Sequence, residues 1–267
     1  MKKFLLITIS AVMLLTLCLP VFAAENTTVY VTICDKDGKL ALAGEAIKVS
    51  DSDGDGTLTI TDALYCAHAA KYEGGAGAGY ATAVTAYGIS MTKLWGAENG
   101  SGFGYYLNNA SAWSLTDPVK NGDLVSAFVY TDTVTWSDTF CYFDKSTAST
   151  YKGGELTLTL VSAGYDSNFA PITLPVAGAT ITVDGKATEF KTDDQGKVTV
   201  KIEKAGDHII SAVSDTQTLV APVCTVSVAN TDINPETGDA IMVYMGVLIA
   251  CTAMIGVIVK FARSYEK

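Results

Sequence analysis

The residues best suited to chemistry in this chain lie in one acidic stretch, Asp51-Ser52-Asp53-Gly54-Asp55-Gly56-Thr57-Leu58-Thr59-Ile60-Thr61-Asp62. Three carboxylates occupy alternate positions within five residues, and like charges that close repel one another unless protons or a cation intervene. Calcium suits such a set. It takes six to eight hard oxygen ligands, and a twelve-residue loop delivers them from positions 1, 3, 5, 7, 9 and 12, with glycine at position 6 for the sharp turn. Those positions carry Asp51, Asp53, Asp55, the Thr57 carbonyl, Thr59 (directly or through water) and Asp62, with Gly56 at the turn. The spacing predicts a calcium site whose role is to fix the start of the segment that follows.

That segment reads as a helix from Thr59 to Tyr72, with Asp62 near its start and Leu64, Tyr65, Cys66 and Ala67 as an apolar side; the glycines from Gly74 to Gly79 end it. Upstream, Val29, Val31 and Ile33 alternate as in a half-buried strand, Asp35-Lys36-Asp37-Gly38 makes a turn, and a second strand covers Leu42 to Val49. Further strands are expected at Gly104 to Leu107, Leu124 to Tyr130 and Thr139 to Phe143. A second unit begins near Gly153-Gly154. Its segments Glu155 to Val161, Ala179 to Val183, Lys197 to Ile202, His208 to Ala212 and Cys224 to Val228 alternate at roughly ten-residue spacing with no helix between them, which predicts a small antiparallel sandwich.

Three resemblances sharpen this picture. The acidic loop resembles the EF-hand-type loops of dockerin modules, in which the helix begins immediately after the loop; here Asp62 replaces the usual Glu, and the loop occurs once where dockerins carry two. The segments Val29-Tyr-Val-Thr-Ile33, Thr59 to Tyr72, Gly102-Phe-Gly-Tyr-Tyr-Leu-Asn108 and Val119-Lys-Asn-Gly-Asp-Leu-Val125 resemble the transcobalamin C-terminal-like modules of bacterial surface proteins. That likeness implies a β-grasp fold and contact with a corrinoid or other small ligand. Pro175 to Val183 and Thr192 to Val200 resemble carboxypeptidase-regulatory and collagen-adhesin B-type stalk modules. The expected fold class is therefore α+β: a β-grasp-like calcium-loop domain over 27–150 followed by an all-β, Ig-like sandwich over 154–230.

The two ends of the chain specify a route out of the cell. Lys2 and Lys3, an apolar run from Phe4 to Leu19 and a small-residue stretch ending at Ala23 read as a cleaved signal peptide over 1–23. Near the other end an apolar run, Ala240 to Val259, is long enough to cross a bilayer as a helix, and Lys260, Arg263 and Lys267 after it belong on the cytoplasmic side. Immediately upstream stand Asn234, Pro235, Glu236, Thr237 and Gly238. Motif, apolar helix and basic tail in that order resemble the cell-wall sorting signals of Gram-positive bacteria, with Asn234 where Leu is usual. The resemblance implies that a sortase attacks the Thr237 carbonyl, releases Gly238 onward and joins the chain covalently to peptidoglycan. By the same resemblance the membrane would hold the C-terminal helix only until then, and the mature protein is expected to be extracellular.

Composition narrows what the exported part can do. From Ala24 to Thr237 there are 13 Lys, no Arg and 26 acidic residues, a net charge of −13, so nucleic acid is excluded as a partner. Only His68 and His208 are present, in different units, with no Gly-x-Ser-x-Gly elbow and no His-Glu-x-x-His, so the chain does not read as an enzyme. His68, on an Ala-rich helix face, reads as a packed or surface histidine. Cys34, Cys66, Cys141 and Cys224 lie in apolar sequence and read as buried thiols, with a Cys34 bridge to Cys66 or Cys141 as the other possibility. Trp95, Phe103, Tyr105, Tyr106 and Trp113, interleaved with Gly, Asn and Ser, are the densest aromatic region, and Trp95, Tyr105, Tyr106 and Trp113 are the candidate ligand-binding residues for an extracellular glycan, protein or small molecule. A calcium-stabilised, adhesin-like binding module on a sandwich stalk is the expected function. A structural wall or pilus component without a ligand, and corrinoid or small-ligand capture at the surface, are the alternatives.

Overall fold

Val29, Val31 and Ile33 alternate with Tyr30 and Thr32, and that alternation removes one face of β1 (Thr28–Cys34) from solvent completely. The computed structural model describes residues 27–100, 102–168 and 170–230. The expected signal peptide, the motif from Asn234 to Gly238, the apolar run 240–259 and the basic tail all lie outside the described residues. Among the described residues no helix is long and apolar enough to cross a membrane.

β2 (Leu40–Lys48) and β7 (Leu124–Val129) flank β1, and β5 (Phe103–Leu107) and β6 (Ala110–Ser111) continue the sheet, giving the order β2-β1-β7-β5-β6. β1 and β7 run parallel, with Tyr30 opposite Leu124; the other neighbours are antiparallel. A parallel pair needs a long crossover, which here contains α1 (Ile60–Lys71). This helix lays Ile60, Ala63, Leu64 and Ala67 on Val29, Val31, Val125 and Val129 to make the first core. Fully burying a side chain such as Leu64 contributes roughly 1.5–3 kcal/mol. After the single turn α2 (Ala76–Gly79), a hairpin of β3 (Ala81–Thr85) and β4 (Gly88–Lys93) stands out into solvent, with Val84 and Tyr87 exposed.

The rest of the described chain is a β-sandwich. One sheet has the order β11-β10-β8-β16, built from β8 (Thr139–Phe143), β10 (Glu155–Tyr165), β11 (Pro171–Pro175) and β16 (Leu219–Val220), with β14 (Lys197–Lys201) also paired to β10. The other contains β9 (Thr147–Tyr151), β12 (Thr180–Val183), β13 (Lys186–Lys191), β15 (Gly206–Val213) and β17 (Cys224–Ala229) in the order β13-β12-β15-β17-β9. Leu156, Leu158 and Leu160 of one sheet pack against Ile181, Ile210 and Val226 of the other. The molecule is mostly β, with α1 its one helix longer than a turn among the described residues.

Two expectations are corrected here. β8 falls inside the range 27–150 expected for the first unit and β9 runs across its end, yet both hydrogen-bond in the sheets of the second, so the units meet in the segment between β7 and β8. The sandwich is also not purely antiparallel, because β16 pairs β8 and β17 pairs β9 in parallel. A small third core of Cys34, Phe128, Phe140 and Val220 then joins the two units, with Tyr106 and Tyr142 packed onto it. The Tyr106 and Phe140 rings stack with centroids 3.6 Å apart.

Candidate functional site

Asp51, Asp53 and Asp55 do converge. One carboxylate oxygen from each lies within 4.8 Å of the others, and all three residues are exposed. The loop holds them by turning back on itself: Asp51 accepts from the Gly54 and Gly56 amides at 2.7 and 2.8 Å, and Asp55 accepts from the Thr57 amide at 2.7 Å. Gly54 and Gly56 adopt φ of +78° and +87°, a region that costs an L side chain and suits glycine. The Gly56 and Gly54 amides hold the Asp51 carboxyl below its ordinary range. Asp53 goes the other way: the hydrogen bond from the Asp55 amide works downward, but desolvation, the Asp55 and Asp62 charges and the contact with Asp51 together push it up. The loop's amides thus favour the charged form of Asp51, while its neighbours disfavour that of Asp53.

The remaining predicted ligands are placed differently. Asp62 is buried, and each of its oxygens is engaged: Oδ1 accepts from Ser52 N–H at 2.8 Å and Ser52 Oγ at 2.6 Å, and Oδ2 accepts from Thr59 N–H at 2.9 Å and Thr59 Oγ1 at 2.8 Å. Thr59 is the N-cap of α1 and Asp62 its third residue, so the pair forms a capping box. Desolvation raises the Asp62 carboxyl, but the Ser52 and Thr59 donors outweigh it and keep it below the usual value. Three hard carboxylates thus form a partial oxygen shell that fits calcium, while Thr59 and Asp62 serve the helix cap. The cap is in turn tied to a distant segment. Ile60 N–H donates to the Asp117 carbonyl at 3.1 Å and Thr61 N–H to the Leu115 carbonyl at 3.0 Å, and Asp117 accepts from Trp113 N–H at 2.8 Å.

The four candidate ligand-binding aromatics do not share one surface. β5 alternates, so Phe103, Tyr105 and Leu107 face the α1 core while Tyr106 faces the junction with the sandwich. Trp95 packs against His68 and Tyr72, with centroids 5.2 and 5.1 Å away, and is part of the first core. Trp113 alone is open, with 97% of its surface exposed. Tyr106 and Trp113 do line one groove of about 1000 Å³, together with Tyr142 of β8 and Tyr165 of β10. Sequence reasoning missed those last two. Their signal was faint: Tyr142 lies in a strand assigned only to packing, and Tyr165 lies beyond the segment Glu155 to Val161 that was read as strand.

His68 is fully buried, and both ring nitrogens are engaged: Nδ1 lies 2.7 Å from the Leu64 carbonyl, and Nε2 accepts from Trp95 N–H at 3.0 Å. Burial lowers its pKa against the opposing Leu64 hydrogen bond. His208 bridges Asp184 at 2.7 Å and the Lys204 carbonyl at 2.8 Å. The four cysteines in the described residues are free thiols. Burial pushes Cys34 up to about 12 and Cys224 up to about 11, and raises Cys141 further still, so none of these three favours the reactive thiolate.

No protein family matches the sequence, and no curated protein does. Among solved structures, the N-terminal four Ig domains of Dscam1 isoform 9.44 align with 56% of this chain and 32% of that one, at 12% identity and a TM-score of 0.21. The tandem Ig repeats of Dlar align with 56% of this chain and 75% of that one, at 16% identity and a TM-score of 0.22. The chain thus spans about a third of the length of the Dscam1 structure it resembles. At these scores the likeness carries no argument about function.

Proposed function

We propose that this chain is an exported surface-binding protein: a β-grasp unit with a calcium-binding loop, carried on a sandwich stalk and joined by a sortase to peptidoglycan at Thr237. The observation that carries the reading is the acidic loop and its connection. Asp51, Asp53 and Asp55 would hold the ion, supplying hard anionic oxygen, and the neutralised loop would brace the α1 cap, which is hydrogen-bonded to the segment bearing Trp113. The β-grasp assignment is supported by the strand order β2-β1-β7-β5-β6 around a parallel central pair with one helix on its face. Binding is favoured over catalysis because both histidines are committed to structural hydrogen bonds. For the same reason His68 is unsuited to ligate a corrinoid.

The test is calcium titration by calorimetry together with thermal melts of the full chain. One ion per chain is expected, with a melting temperature that falls when chelator is added. A ligand at a hundredfold excess over its Kd stabilises by about 2.7 kcal/mol. The triple substitution Asp51→Asn, Asp53→Asn and Asp55→Asn should abolish uptake. A chain that takes up no calcium, or melts identically with chelator, refutes the calcium part of the reading. The binding part is tested by screening the full chain against immobilised glycans, matrix proteins and corrinoids, and capture of nothing refutes it.

A further inference from the structure

We infer that the groove between the two units, lined by Trp113, Tyr106, Tyr142, Tyr165 and Asn109, is a binding site for a neutral oligosaccharide. The inference rests on the reading of the chain as a binding module and names its site and ligand class. Three observations carry it. First, among the described residues that line the groove there is no Asp, Glu, Lys, Arg or His, although the chain as a whole bears a net charge of −10. A neutral surface in an acidic protein favours an uncharged ligand. Second, two of its four aromatics, Trp113 and Tyr165, are presented rather than packed away. Trp113 is 97% exposed and Tyr165 57% exposed, so both rings are free to stack on a ligand. The Trp113 backbone is fixed by its bond to Asp117, and Leu115 two residues on is fully buried, so the point from which the indole projects is set before any ligand arrives. Rigid rings beside amide and hydroxyl groups match the alternating C–H faces and hydroxyl edges of a sugar. Third, the groove is about 1000 Å³, at the upper end of the roughly 300–1,000 Å³ of small-ligand sites, which suits several sugar rings better than one.

The edges of the groove argue against an extended peptide. Its walls include two sheet edges, β6 and β11, but β6 is two residues long, and β11 begins and ends in Pro171 and Pro175, which have no N–H to donate. A peptide adding itself as a strand would find no ladder to extend. Recognition there has to come from side chains.

The experiment titrates the full chain with cellohexaose, maltohexaose and mannohexaose, with hexagalacturonate as the charged counterpart and an uncharged hexapeptide as the competing class. Saturable binding of at least one neutral hexasaccharide is expected, with hexagalacturonate and the peptide inert. Trp113→Ala and Tyr165→Ala should each weaken it about tenfold or more, as loss of a central aromatic does, with unchanged melting temperature. Binding by none of the neutral hexasaccharides, equal binding by both variants, or preference for the peptide overturns the inference. Failure on all three sugars combined with capture of another class in the broader screen removes this site but leaves the binding-module reading standing.

Discussion

His68 illustrates how one side chain can look functional and act structurally. Its Nε2 accepts from Trp95 N–H, a bond that only the unprotonated nitrogen can accept, and Nδ1 is left to donate to Leu64. Protonation would turn that acceptor into a donor facing a donor, in a site with no solvent. The folded-state pKa is lowered from 6.5, so the unfolded chain binds the proton more readily. Stability from this group is therefore fully present above about 6.5 and declines as pH falls below it. Urea unfolding monitored at pH 8, 7, 6 and 5 should show a plateau and then a fall, and the fall should be reduced in His68→Gln. An NMR titration in which the folded imidazole protonates at its ordinary value contradicts this account. From sequence, the Ala-rich helix around His68 already disfavoured a ligand role. The partner was invisible there, because Trp95 lies far along the chain and meets the ring only through the fold.

At the scale of the element, β5 decides which aromatics belong to which core. Gly104 sits on the same face as Tyr106, and a Cβ there would drive into the Phe128 ring. Gly104→Ala should cost about 1–3 kcal/mol, the usual penalty of overpacking, in chemical denaturation, whereas an exposed substitution such as Val84→Ala should change stability by less than about 0.5 kcal/mol. An unchanged midpoint for Gly104→Ala would show that the ring moves aside freely. β10 was legible because its residues alternate between buried and partly exposed positions, and the helix was legible from its apolar side and its glycine stop. β3 and β4 were not, since a hairpin with most of β3 exposed has no apolar face to mark its period. β11 carries proline at both ends, which reads as loop. The acidic spacing located Asp51, Asp53 and Asp55, but the same spacing could not reveal that Asp62 would serve the helix cap.

At the scale of the whole molecule, the units share apolar surface as well as chain. Phe140 lies between Tyr106 of one unit and the sandwich from which it comes, in a core completed by Cys34, Phe128 and Val220. Truncating it to Ala removes packing from both sides at once, at about 3–5 kcal/mol. Calorimetry of the full chain should show one cooperative transition that splits or broadens in Phe140→Ala, and two resolved transitions in the parent chain would mean that the units fold independently. The sequence placed the boundary too late because β8 and β9 follow the first unit directly in the chain. Their partners β16 and β17 arrive about 80 residues afterwards, a separation that no local pattern reports.

The position of β17 has a mechanical consequence. It lies inside its sheet, bonded to β15 on one side and β9 on the other over five residues each. Tension applied to the chain beyond Ala229 would drag β17 lengthwise past both neighbours, loading the two ladders in shear so that their hydrogen bonds must give together. A strand at the rim would instead peel away one bond at a time. The sandwich is thus built to stay folded under a pull from its C-terminal side.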